Sequence, residues 1–185
     1  MSRYSIDFNF IAEREGGART EGYVPAIAHS KSGVTIATGF DLGQRKLADL
    51  QALKLPADLV RRLSPYLLLI TVDAQAVLDK YPLTISPDEA RLIDEAFNAP
   101  FIEQLAKNYA AASGRDFAQL PAPAQTVIAS VSFQYGDLAS RTPNFWRQVI
   151  ACDWAQAVAN LRDFGDAYKS RRGQEADLLS SQLKP

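Results

Sequence analysis

The chain has 185 residues, with 20 basic and 21 acidic side chains, a formal net charge of −1, one histidine and one cysteine. That balance lacks the basic excess of a non-specific nucleic-acid binder, a lone cysteine excludes an intrachain disulfide, and so few His and Cys exclude a zinc site built mainly from them. The one long apolar run, Tyr66-Leu67-Leu68-Leu69-Ile70, is far shorter than the ~20 residues of a membrane span, and the opening MSRYSIDFNF has no apolar core or small-residue cleavage site, so no secretory signal is expected.

The length favours a single domain, or one domain with a small lobe. Ser5 through Glu15 reads as a helix that Ser5 can cap and Gly16-Gly17 stops. Gly22-Tyr23-Val24 and Val34 through Thr38 carry strand signals, and His29-Ser30-Lys31-Ser32-Gly33 between them has turn chemistry. From Gln44 the pattern turns helical, over 44–53, 57–69, 73–80 and 87–112, with Pro56, Pro82 and Pro87 as boundaries. Residues 122–135 carry no charge, which marks a helix buried on all sides and a candidate for the centre of the core. Thr142-Pro143 opens another helix, with proline at a favoured first-turn position, and helices over 153–164 and 167–181 close the chain. The expected fold is α+β: an N-terminal helix and small sheet over 1–43, then a helical lobe over 44–185, forming one domain.

The catalytic inventory narrows by elimination. There is no H-E-x-x-H, no G-x-S-x-G and no P-loop. His29 reads most simply as a solvated loop residue and Cys152 as a small core residue. Carboxylates remain. Glu13 and Glu15 both end the first helix, where the dipole disfavours acids, and Asp41 follows the strand 34–38. A helix-end glutamate facing a strand-end aspartate suits glycosidic cleavage, in which one group protonates the leaving oxygen and the other orients water or stabilises positive charge. The plainer alternatives stand beside it: Glu15 as an ordinary last-turn residue, and Asp41 as the cap of a helix beginning near Gln44.

Glu15-Gly16, Tyr23 and Thr35-Ile36-x-x-Gly39 resemble the start of T-even-type phage lysozymes. The run Ser32-Gly33-Val34-Thr35-Ile36-Ala37-Thr38-Gly39-Phe40-Asp41-Leu42-Gly43-Gln44 is closer still to the pesticin family, lysozyme-like muramidase domains of bacteriocins with relatives among type VI secretion effectors. Ser132-Phe133-Gln134-Tyr135-Gly136 and Arg171-Arg172-x-x-Glu175-Ala176 are similar, more loosely, to later segments of lysozymes. The resemblance implies a lysozyme-like fold, with Glu15 as general acid, Thr35 as holder of the attacking water and Asp41 as second carboxylate. Glu13 is a competitor that only the glycine after Glu15 separates. Phe40 stands where phage lysozymes have histidine, and the aspartate follows the threonine rather than preceding it, as in pesticin.

The activity so implied is hydrolysis of the β-1,4 bond between N-acetylmuramic acid and N-acetylglucosamine, with inversion, in a cleft between sheet and helical lobe and with no metal or organic cofactor. The partners implied are the peptidoglycan glycan strand and, for a toxin, a cognate immunity protein. The site of action would be the periplasm or wall of a target cell, reached by a route other than a signal peptide. A non-catalytic wall-binding or interaction module and a chitinase- or chitosanase-type glycosidase are the rival expectations. The run Lys169-Ser170-Arg171-Arg172 reads as a solvated helix face, or as a guanidinium source beside Glu15 that would lower its pKa.

Overall fold

A computed structural model describes residues 3–27 and 30–181, so His29 lies outside the described residues. The first helix, α1 (Phe8–Arg14), starts later than expected because Asp7, not Ser5, caps it: Asp7 Oδ1 accepts the Phe10 N–H at 3.0 Å. The Ser5 amide donates instead to Gln125 Oε1 at 2.9 Å. Gly16 and Gly17, at φ +100° and +87°, end the helix as the sequence suggests, and the Gly17 N–H returns to the Ala12 carbonyl at 2.8 Å.

The chain forms two compact units, whose boundaries fall after Ile11 and after Ala99. The unit spanning Ala12–Ala99 holds an antiparallel sheet of β1 (Arg19–Tyr23), β2 (Thr35–Ala37) and β3 (Phe40–Asp41), in that order. Strand β3 was not expected; two residues carry no readable alternation. Backbone at Leu83–Ile85 lines the other edge of β1, with Gly22 N–H to Leu83 O at 2.9 Å and Ile85 N–H to Thr20 O at 2.8 Å. Helices α2 (Leu47–Ala52), α3 (Ala57–Leu63), α4 (Thr71–Lys80) and the first half of α5 (Pro87–Ser113) complete the unit.

The expected helix over 57–69 stops at Leu63. Ser64–Tyr66 tighten into a 3-10 turn around Pro65, and Leu68 (φ +61°) takes left-handed backbone that no helix continues through. Ile36, Phe40, Leu42, Leu50, Leu63 and Ile93 are wholly buried in this core.

The other unit combines the described residues up to Ile11 with those from Pro100 onward. At its centre runs α6 (Ala122–Tyr135), in which every residue from Ala124 to Ser132 is buried, as its lack of charge requires. Its buried polar side chains are satisfied: Gln125 donates to Leu120 O at 2.7 Å, and Thr126 Oγ1 accepts the Asp7 N–H at 2.9 Å. Around it lie α7 (Leu138–Arg141), α8 (Pro143–Ile150), α9 (Trp154–Arg162) and α10 (Lys169–Ser180). The four-residue α7 was not legible in the sequence; Asp137, accepting the Ala139 N–H, defines its start.

Candidate active site

The run Ser32–Gln44 folds into a closed backbone clasp. Strand β2 pairs with β3 so that Thr35 stands opposite Asp41 and Ile36 opposite Phe40. Alternation along the strands puts Ile36 and Phe40 into the core and the Thr35–Asp41 pair on the other face. The Leu42 N–H closes onto Val34 O at 2.9 Å, and Gln44 Nε2 donates to Lys31 O at 3.0 Å.

The two glycines of the clasp pack backbone to backbone. A Cβ added to Gly33 would lie 2.3 Å from Leu69 O and 2.5 Å from Gly43 Cα; one added to Gly43 would lie 2.6 Å from Leu69 O and 2.7 Å from Gly33 Cα. Only glycine fits at either position. Into this gap Asp41 inserts one oxygen, Oδ1, which accepts the Gly33 N–H at 3.0 Å and the Gly43 N–H at 2.9 Å. The second bond makes Asp41 the N-cap of the 3-10 turn Leu42–Gln44, the plainer role anticipated for it, and that turn is why α2 begins only at Leu47. Oδ2 accepts no hydrogen bond from the described residues. Thr35 is buried, and its hydroxyl donates to Gly33 O at 3.2 Å, so its remaining capacity is as an acceptor.

Glu15 follows α1 directly, its N–H bonded to Ala12 O at 3.0 Å and its side chain exposed. It belongs to the same compact unit as Thr35 and Asp41. Glu13 is exposed as well and pairs with Arg14 at 3.4 Å. Cys152 is half-buried, accepting from Arg115 Nη1 at 3.0 Å with Tyr109 Oη at 3.6 Å.

Sequence reasoning missed Asp94. On α5 it is 5% exposed and accepts from the Thr38 N–H at 3.1 Å and the Thr38 hydroxyl at 2.8 Å. Burial pushes its carboxyl above the ordinary range, and the two Thr38 bonds pull it back only in part. The available signal was an acid set among Ala90, Ile93 and Phe97, on what otherwise reads as an apolar helical stripe.

The other two resembling segments meet in the second unit. Arg172, only 1% exposed, pairs with the fully buried Glu175, with Asp166 at 2.9 Å and with Gln134. Its guanidinium also lies 4.8 Å from the Phe164 ring centre and 5.4 Å from that of Tyr135. Glu175 is further bonded by Ser130 Oγ at 2.6 Å and Arg171 Nε at 3.2 Å. The basic run is therefore not simply a solvated face: Arg172 is a core residue. Burial alone would lift Asp166, but the Tyr135 hydroxyl, Arg172 and the Tyr168 N–H outweigh it and hold its carboxyl below the ordinary range.

No group of three or more His, Cys, Asp or Glu side chains among the described residues could hold a metal ion, and no described helix is long and apolar enough to cross a membrane. A small antiparallel sheet bearing an opposed threonine and aspartate, within a largely helical chain, is an α+β fold of the lysozyme type. The chain belongs to the pesticin family, bacterial toxin homologues of phage lysozyme (C-terminal region), whose model matches residues 5–155. The match covers Glu15, Thr35 and Asp41 and ends before α10, so the Arg171–Glu175 segment lies outside it. No curated protein matches the chain.

Proposed function

We propose that the chain is a muramidase that hydrolyses the β-1,4 bond between N-acetylmuramic acid and N-acetylglucosamine in peptidoglycan. The observation that carries this reading is the Thr35–Asp41 pair, opposed across neighbouring strands, with one carboxylate oxygen and the threonine lone pairs uncommitted among the described residues. Membership of a family of lysozyme-homologous toxins supports it.

In this reading Glu15 gives its proton to the glycosidic oxygen as the bond to the anomeric carbon breaks. A water accepted by Thr35 Oγ1 adds to that carbon from the opposite face. Its proton passes to Asp41 Oδ2, the oxygen that the two glycine amides leave unoccupied. Because Oδ1 is tied into the clasp, Asp41 is held to orient a water rather than to swing toward the sugar, which favours an inverting course. The protein would act as an antibacterial toxin or effector in the periplasm or wall of a target cell, after delivery by a separate route, and its producer would need an immunity partner.

The test is the release of reducing ends from purified peptidoglycan. Glu15→Gln is expected to lower turnover by about 10²–10⁴-fold with an unchanged circular dichroism spectrum, and Glu13→Gln to be much milder. The opposite ranking moves the acid to Glu13; binding without any release of reducing ends makes the domain a wall-binding module.

A further inference from the structure

The turn joining β2 to β3 is strained and held from outside. Ala37, a non-glycine residue, takes φ +52°, and Gly39 takes φ +88°. Between them stands Thr38, midway along the chain between Thr35 and Asp41. It spends both of its donors, the backbone N–H and the hydroxyl, on the Asp94 carboxylate. Those two bonds are also all that the described residues give that buried carboxylate. Three residues on along α5, Phe97 meets Phe40 edge to face at 5.2 Å, a second attachment of the hairpin to the same helix. A turn that needed only to be closed would not require a buried acid, which is costly to desolvate. What the acid adds is a fixed position.

We propose that Asp94 is a positioning residue for the Thr35–Asp41 pair: by clamping both donors of Thr38 it pins the centre of the hairpin to α5 and so sets the placement of the two side chains on its strands. This rests on the muramidase reading for its catalytic consequence but not for its structural one. Asn at position 94 can still accept the Thr38 N–H through its carbonyl and donate its amide to the Thr38 hydroxyl, whereas Ala can do neither.

The experiment compares wild type, Asp94→Ala and Asp94→Asn by amide hydrogen exchange and by kinetics on soluble peptidoglycan fragments. In Asp94→Ala the Leu42 and Gly43 amides, which close the clasp, should exchange about tenfold or more faster while amides of α6 stay unchanged. Its kcat should fall roughly 10–100-fold with KM within about twofold, since misplacing a held water on the order of 1 Å weakens the reaction more than binding. Asp94→Asn should recover most of both. Unchanged clasp exchange in Asp94→Ala, a loss confined to KM, or no recovery in Asp94→Asn overturns the proposal. If Asp94→Ala does not fold, Thr38→Val, which removes only the hydroxyl bond, is judged by the same exchange and kcat criteria. Wild-type protein without turnover overturns the muramidase reading instead, and the exchange arm then decides alone whether Asp94 holds the pair.

Discussion

Replacing Gly33 by alanine places a methyl group where three sides are backbone. The new Cβ would sit 2.3 Å from Leu69 O, 2.5 Å from Gly43 Cα and 2.6 Å from Gly43 N, where ordinary contact begins at 3.4 Å. Roughly 1 Å of retreat is needed, and no side-chain rotation can supply it. The same movement stretches the Gly33 and Gly43 amides away from Asp41 Oδ1, from 3.0 and 2.9 Å to beyond hydrogen-bonding range. Overpacking at about 1–3 kcal/mol, with the loss of one or both bonds to a charged acceptor at about 1.5–3 kcal/mol each, gives a destabilisation of about 2.5–9 kcal/mol. Against a typical total of about 5–15 kcal/mol this is a large fraction.

The assay is urea unfolding followed by far-ultraviolet circular dichroism, with exchange of the Leu42 amide as a local probe. Gly173→Ala is the control: it lies in α10 with nothing within 4 Å of its added Cβ. It should be neutral or stabilising by about 0.5–1 kcal/mol. The Gly33→Ala/Gly43→Ala double variant should lose less than the sum of the singles, because the first methyl already opens the gap. A Gly33→Ala protein that unfolds at the wild-type urea midpoint, or that shifts with Gly173→Ala, refutes the clasp argument.

Arg172→Ala leaves the fully buried Glu175 with Arg171 and Ser130 on one oxygen only and takes the arginine from Asp166, and should cost about 3 kcal/mol, whereas Arg162→Ala, which breaks the mostly exposed pair with Asp177, should stay within about 1 kcal/mol; urea midpoints compare them. The buried Asp94 and the half-buried Asp166 should shape the acid limb of stability in opposite senses. Asp166, held low, stabilises above the ordinary carboxylate range and loses that contribution as pH falls through its folded pKa, so the gap between wild type and Asp166→Asn should close in acid. Asp94, held high, contributes most below the ordinary range and loses that as pH rises through its folded pKa, so the gap between wild type and Asp94→Asn should move in wild type's favour in acid; thermal midpoints from pH 3 to 7 read both. Hydrolysis of a glycan fragment should release the α-anomer first by NMR, and Thr35→Ala should lower kcat more than it alters KM; first-formed β-anomer would remove the water-holding role from Thr35.

The glycines and apolar runs made much of this fold readable. Gly16-Gly17 marked the end of α1, Pro143 opened α8, and the charge-free run 122–135 lay at the centre of its unit. What escaped was set by contacts distant in sequence. Ser5 had the chemistry of a cap, but its amide is claimed by Gln125, 120 residues away, and the cap passed to Asp7. The leucine-rich stretch after Leu63 reads as helix by composition, yet the 3-10 turn at Ser64–Tyr66 and left-handed backbone at Leu68 break it. In the candidate site, the Thr35–Asp41 spacing was legible as motif and appears as a cross-strand pair. The back-to-back contact of Gly33 and Gly43 was not, because nothing local distinguishes a glycine needed for close approach from one needed for a turn. Asp94 and Arg172 were hidden for a shared reason: composition assigns charged residues to the surface, and only the three-dimensional partners, Thr38 for one and Glu175 and Asp166 for the other, make their burial affordable.

The central claim is tested most directly by mass spectrometry of the fragments released from purified peptidoglycan by the wild-type protein, with Glu15→Gln in parallel. The muramidase reading requires soluble muropeptides ending in a reducing N-acetylmuramic acid, produced by wild type and nearly absent with Glu15→Gln. Fragments ending in reducing N-acetylglucosamine, equal release by both proteins, or no release at all would contradict it.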